Sequence, residues 1–172
     1  MMFRHEDTAP SSTDPVQTGY ANLATLCQVW AERSARGLPF NPAQNSGHRP
    51  LMSAARGHVE DAVALRWWGP GKDPHTNPQT GSTPGSRIQA AGYCPNPTSW
   101  RFGEITYTGA GGAAGTPRAA INWWLNSPGH RAILLDPGLL DVGVGVRPGS
   151  ADQSVNGADA GTYVVDFGFC QQ

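Results

Sequence analysis

Two periods of apolar spacing divide this chain. In its first part apolar positions recur at three and four residues: Tyr20, Leu23, Ala24, Cys27, Trp30 and Ala31, then Leu51, Ala55, His58, Ala62 and Leu65. That spacing places side chains on one stripe of an α-helix. The first helix is expected to stop at Arg36-Gly37 ahead of Pro39, and the second to open at His48-Arg49-Pro50 and end by Gly69-Pro70-Gly71. Proline suits a first helical turn, whereas Gly-Pro pairs end one. A short helical turn is predicted from Ser86 to Ala91, and Thr116-Pro117 caps a further helix carrying Ile121, Trp124 and Leu125. Ser127-Pro128-Gly129 breaks that helix, and a brief turn follows through Arg131 to Leu135.

In the second half the spacing falls to two. Arg101 to Thr108 predicts a strand, and Leu140, Val142, Val144 and Val146 alternate with Asp141, Gly143 and Gly145. In a last strand Tyr163, Val165, Phe167 and Phe169 share one face, and Val164, Asp166 and Gly168 the other. Such alternation marks half-buried strands, and a glycine face lets another element approach closely. Helices mostly first and strands mostly last predict the α+β class with an antiparallel sheet. Residues 1–17 are polar and proline-broken, so a flexible N-terminal tail is expected there, with the domain over 18–172. Residues 69–86 read as a long irregular loop of the kind that carries function.

Composition narrows the classes. A chain of 172 residues supports one core without staples. With 12 basic against 13 acidic residues, nothing favours nucleic acid or an anionic membrane surface. No apolar run approaches the roughly 18 residues of a membrane span, and the N-terminus has no hydrophobic leader segment, so an exported protein would have its signal peptide absent from this chain. Cys27, Cys94 and Cys170 allow at most one internal bridge and lack zinc-ribbon spacing. Low charge, abundant small residues and a single lysine, Lys72, point to a secreted bacterial protein.

Three titratable groups stand out. His58 lies on an apolar helix face, His130 follows the Ser127-Pro128-Gly129 corner, and Glu104 is an isolated carboxylate in an uncharged strand. Two histidines and a carboxylate can hold zinc or another divalent metal with a position left for water; a satisfied core histidine and a helix-capping histidine are the plainer readings of His58 and His130. The glycine loop 109–115 lacks both the parallel strands of a dinucleotide fold and the Lys-Ser/Thr pair of a phosphate loop, and no G-x-S-x-G elbow is present. In Trp67-Trp68 and Trp123-Trp124 one indole of each pair should face outward, where it could line a groove.

The run Ile121 to Arg131 with its Ser127-Pro128-Gly129-His130-Arg131 core, then Val142-Gly143-Val144-Gly145-Val146 and Val164-Val165-Asp166-Phe167-Gly168, resembles the CAP superfamily of SCP-like domains, that of cysteine-rich secretory, antigen 5 and pathogenesis-related class 1 proteins. Ala54-Ala55 with His58, His75 ahead of Gly81, Arg87 before Gly92-Tyr93, and Gly103-Glu104 are similar too, so the resemblance covers about residues 18–169. It implies a three-layer α-β-α sandwich around a small, mostly antiparallel three-stranded sheet. It also implies a cleft where His58, Glu104 and His130 converge, with His75, Ser127 and Arg131 beside them. Ser127 stands where eukaryotic members carry a second glutamate, and Ile105 where asparagine usually follows Gly-Glu.

The expectation is therefore a secreted, monomeric binding module taking a hydrophobic small molecule (a sterol or fatty acid) or an extracellular protein, with His58, His130 and Glu104 as metal ligands. A metal-assisted hydrolase with Glu104 as base is the alternative, and a purely structural hydrogen-bond cluster a third reading. Cys94 and Cys170, beside the Tyr93 turn and at the end of the last strand, are the expected disulfide.

Overall fold

The computed structural model describes residues 5–39, 47–155 and 159–172. Its elements run α1 (Pro15–Ser34), α2 (Arg49–Leu65), α3 (Pro84–Ala90), β1 (Ser99–Gly109), α4 (Pro117–Asn126), α5 (Pro128–Leu134), β2 (Asp141–Pro148) and β3 (Gly161–Gln171), with a 3-10 turn at Gly112–Gly115. Each helix has proline in its first turn, and Asp14, Thr83 and Thr116 cap α1, α3 and α4 through their side chains. The sheet order is β1-β3-β2, and both pairings are antiparallel.

Strand alternation sorts the side chains into two cores. Ile105, Val142, Val144, Val146, Tyr163, Val165 and Phe167 pack against α1, α4 and α5. On the other face Val164 meets Ala55, Val59 and Ala62 of α2. Gly143 and Gly145 lie directly under α2, where a Cβ would overlap its backbone at Leu51–Met52 and at Ala55–Arg56. The result is an α-β-α sandwich. No helix among the described residues is long and apolar enough to cross a membrane.

One helix face and two boundaries differ from the sequence expectation. Helix α1 buries Ala21, Ala24, Thr25, Leu26, Gln28, Val29 and Arg33, while Tyr20 and Leu23 are exposed. Polar residues turn inward there because they find partners: Arg33 donates to the carbonyls of Leu134, Asp136 and Leu139, and Gln28 to Glu6. Helix α2 ends at Leu65, since Arg66 adopts a left-handed conformation at φ 52°. Trp67 and Trp68 therefore lie beyond the helix, bridged to Asp152. In its described part the segment read as a tail packs on the domain: Arg118 of α4 pairs with Glu6 and Asp7, Pro10 is buried, and α1 starts at Pro15.

A disulfide joins Cys94 to Cys170, and Cys27 is free. The bridge ties the end of the central strand to the turn after α3, close to where Tyr93 lies over Gly168 and donates to Asp141.

Candidate functional site

Glu104 on β1 is the register partner of Asp166 on β3. Both belong to the set facing α2, so strand alternation alone puts two carboxyl groups under that helix. Glu104 has a side chain 1% exposed, and each of its oxygens is engaged: Nδ1 of His75 lies 2.8 Å from Oε1, and Nη2 of Arg87 donates to Oε2 at 2.8 Å. Burial would raise the Glu104 carboxyl, but the His75 hydrogen bond and the Arg87 guanidinium outweigh it and hold it below the ordinary range. Asp166 is fully buried, and neither oxygen meets a donor among the described residues. Burial, then the adjacent Glu104 carboxylate, raise it well above the usual aspartate range, so Asp166 keeps its proton and donates it toward Glu104.

His58 reaches the cluster from α2. Its Nε2 lies 2.8 Å from the Pro74 carbonyl, which can only accept, so Nε2 carries the hydrogen. Nδ1 is buried without a partner among the described residues. The ring packs against Trp67 and Trp68, and burial lowers its pKa, with Glu104 opposing. At 3.9 Å from Glu104 the neutral ring is a neighbour, not an ion-pair partner.

His130 is carried by α5 and packs beside the cleft residue Trp123. Ser127 sits at the N-cap of α5 yet makes no capping bond, because its Oγ lies 2.7 Å from Nδ1 of His130. The imidazole packs on Trp123 at 4.6 Å between centroids, and burial followed by the charge of His75 lowers its pKa. His75 and His130 thus each have Nδ1 held, by Glu104 and by Ser127. Arg131 is turned away: one position further along α5, it lines a separate groove with Leu125, Asn126 and Leu135, since a helix rotates about 100° per residue.

The structure thus brings His58, His75 and Glu104 together and pairs His130 with Ser127. It does not assemble His58, Glu104 and His130 as metal ligands. The His58 Nε2 and both Glu104 oxygens are committed to protein partners, and a guanidinium, the like of a metal's charge, already sits on Glu104. Among the described residues no three His, Cys, Asp or Glu side chains form a metal-holding group. The residues do not fit a three-ligand zinc centre.

Two members of the cluster had no role in the sequence reading. Arg87 is an ordinary-looking helical arginine. Asp166 did leave a signal, a carboxylate inside the apolar run Val164-Val165-Asp166-Phe167. Beside the cluster a cleft of about 300 Å³ runs along β1, with Trp68, Pro70, Pro74 and Trp123 in its lining.

The fold and the cluster define a small α-β-α domain with a carboxylate-histidine network under a surface cleft. The profile of the CAP family, described as the cysteine-rich secretory protein family, matches residues 51–167, and this chain belongs to that family. Among solved structures it is similar to an extracellular protein containing a SCP domain from Bacillus anthracis str. Ames, at 23% identity and a TM-score of 0.63, over 92% of this chain and 44% of that one. The chain therefore spans less than half of that protein. It is also similar to an outer surface protein from Borrelia burgdorferi, at 20% identity and a TM-score of 0.60, over 84% of this chain and 89% of that one. No curated protein sequence matches significantly.

Proposed function

We propose that this protein is an extracellular binding module in which the buried cluster braces the domain and the adjoining cleft takes a ligand with an apolar face. The observation that carries this reading is the pair of tethered imidazoles: His75 on Glu104 and His130 on Ser127 are oriented from behind, His75 next in the chain to the cleft residue Pro74 and His130 packed on the cleft residue Trp123, as preorganised polar contacts beside a binding cleft. The Cys94–Cys170 bridge supports an oxidising compartment. So do the extracellular and outer-surface descriptions of the two similar structures.

Hydrophobic small molecules and extracellular proteins both fit a cleft with tryptophan walls. The hydrolase reading is less favoured, because Glu104 is buried with both oxygens bonded and acts on His75, not on water in the cleft. The test is a metal and ligand titration of wild type beside His58→Ala and His130→Ala. The expected result is no stoichiometric zinc, a lower melting temperature for His58→Ala, and near-native stability with altered cleft NMR signals for His130→Ala. One zinc per chain, lost in both variants, would overturn the brace reading in favour of a metal centre.

A further inference from the structure

The cleft has walls that the carboxylate cluster does not use. Thr106, Tyr107 and Thr108 line it in succession, so it follows the outer edge of β1, which has β3 on one side only. Such an edge invites an extended peptide, which needs the N–H and C=O of the same residue. Here the Thr106 carbonyl already accepts the indole N–H of Trp124 at 2.9 Å, which interrupts the ladder in the middle of the cleft. A long lipid is also poorly matched, since about 300 Å³ lies at the lower end of ligand cavities and Thr106 and Thr108 line it.

What remains is an aromatic platform with a polar rim. Trp123 is 47% exposed, and its ring lies 5.7 Å from that of Tyr107 and 4.6 Å from that of His130. Trp68, also in the lining, has a buried indole N–H with no acceptor among the described residues. Lys72 and Asp152, also in the lining, are of opposite charge, so the cleft does not select an ion. A pyranose ring has the matching duality: one flat face of C–H bonds, weakly positive, and a rim of hydroxyls that donate and accept. The negative face of an indole attracts the first, and hydroxyls satisfy the second.

We propose that this cleft binds a neutral saccharide, with one sugar ring stacked on Trp123 and its hydroxyls toward Lys72, Asp152 and the His130 ring beside Trp123. This rests on the cleft being the ligand site. The test follows the indole N–H signals in two-dimensional NMR while maltotriose, cellotriose and the trimer of N-acetylglucosamine are added in turn. Parallel titrations use palmitate, cholesterol and an extended Thr/Val peptide. At least one saccharide should shift the Trp123 indole signal. Trp123→Ala should weaken that binding at least tenfold at an unchanged melting temperature, and Trp123→Phe should recover part of it. Saccharides that move no cleft signal, or that bind Trp123→Ala as well as wild type, overturn the proposal. If palmitate, cholesterol or the peptide moves the cleft signals instead, the saccharide falls and the binding-module reading stands. If no probe moves them, both fall.

Discussion

Glu104 and Asp166 face each other across the β1–β3 pair, one carboxyl ionised by Arg87 and His75 and the other kept neutral by burial and by its partner's charge. The native state therefore holds a proton that the unfolded chain gives up near the ordinary carboxylate value of about 4. Above that value, up to the raised native one, the folded protein binds more protons than the unfolded chain, so this group's contribution falls as pH rises. Asp166→Asn keeps a donor toward Glu104 and removes the titration. Urea denaturation at pH 5, 7 and 9 should show the asparagine variant gaining on wild type as pH increases. A difference that stays flat with pH would mean that Asp166 is ionised in the fold.

Glu104→Gln is expected to be far more damaging. It leaves the Arg87 guanidinium, whose side chain is 11% exposed, without its counter-charge. Breaking a buried pair in this way costs about 3–5 kcal/mol. Equilibrium unfolding at pH 7 measures it. A loss below about 1 kcal/mol would show that the pair behaves like a surface one.

The histidines act in the opposite pH direction. Burial holds His58 below its ordinary value, so once pH drops beneath about 6.5 the unfolded chain takes up a proton that the folded one refuses. Stability is lost as pH falls through that window. His58→Gln can still donate to the Pro74 carbonyl and should flatten the slope between pH 6.5 and 5, read from melting temperatures.

Two helix starts that look alike in sequence should respond differently. Thr116 accepts from the Ala119 amide, whereas Ser127 spends its oxygen on His130. Thr116→Ala is predicted to cost about 1 kcal/mol. Ser127→Ala should leave stability within about 0.5 kcal/mol while shifting the His130 ring signals in NMR. Equal losses in the two variants would contradict this division.

Reducing the Cys94–Cys170 bridge opens a loop with a separation of 76 residues. Chain entropy for that length corresponds to about 4–5 kcal/mol. Denaturation of Cys94→Ser/Cys170→Ser beside wild type checks it, and thiol titration of wild type in denaturant should find Cys27 alone.

The layers were legible in the sequence because β2 and β3 differ in residue type between their two faces and proline opens each helix. Gly143 and Gly145 could be read as a contact face since only the absence of a Cβ allows α2 so close. The face of α1 was misread because Thr25, Gln28 and Arg33 are polar by type and buried by partnership, and their partners lie on other elements. The site was legible as residue types, not as atom pairs. His58, His75, Glu104 and His130 stand out as titratable groups. Which atoms meet is decided by the aperiodic path from Trp67 to Thr83, which carries the Pro74 carbonyl and the His75 ring into place. Asp166 was in plain view on its strand face, and only the β1–β3 register shows that it meets a second carboxyl group.

The position of the Cys94–Cys170 bridge also governs how the domain would carry mechanical load. β3 is the central strand, and an unbridged strand end can be peeled one hydrogen bond at a time. Tension applied beyond Cys170 is instead shunted through the covalent link into the turn after α3. The sheet and the cluster beneath it are thereby shielded from a pull arriving at that end.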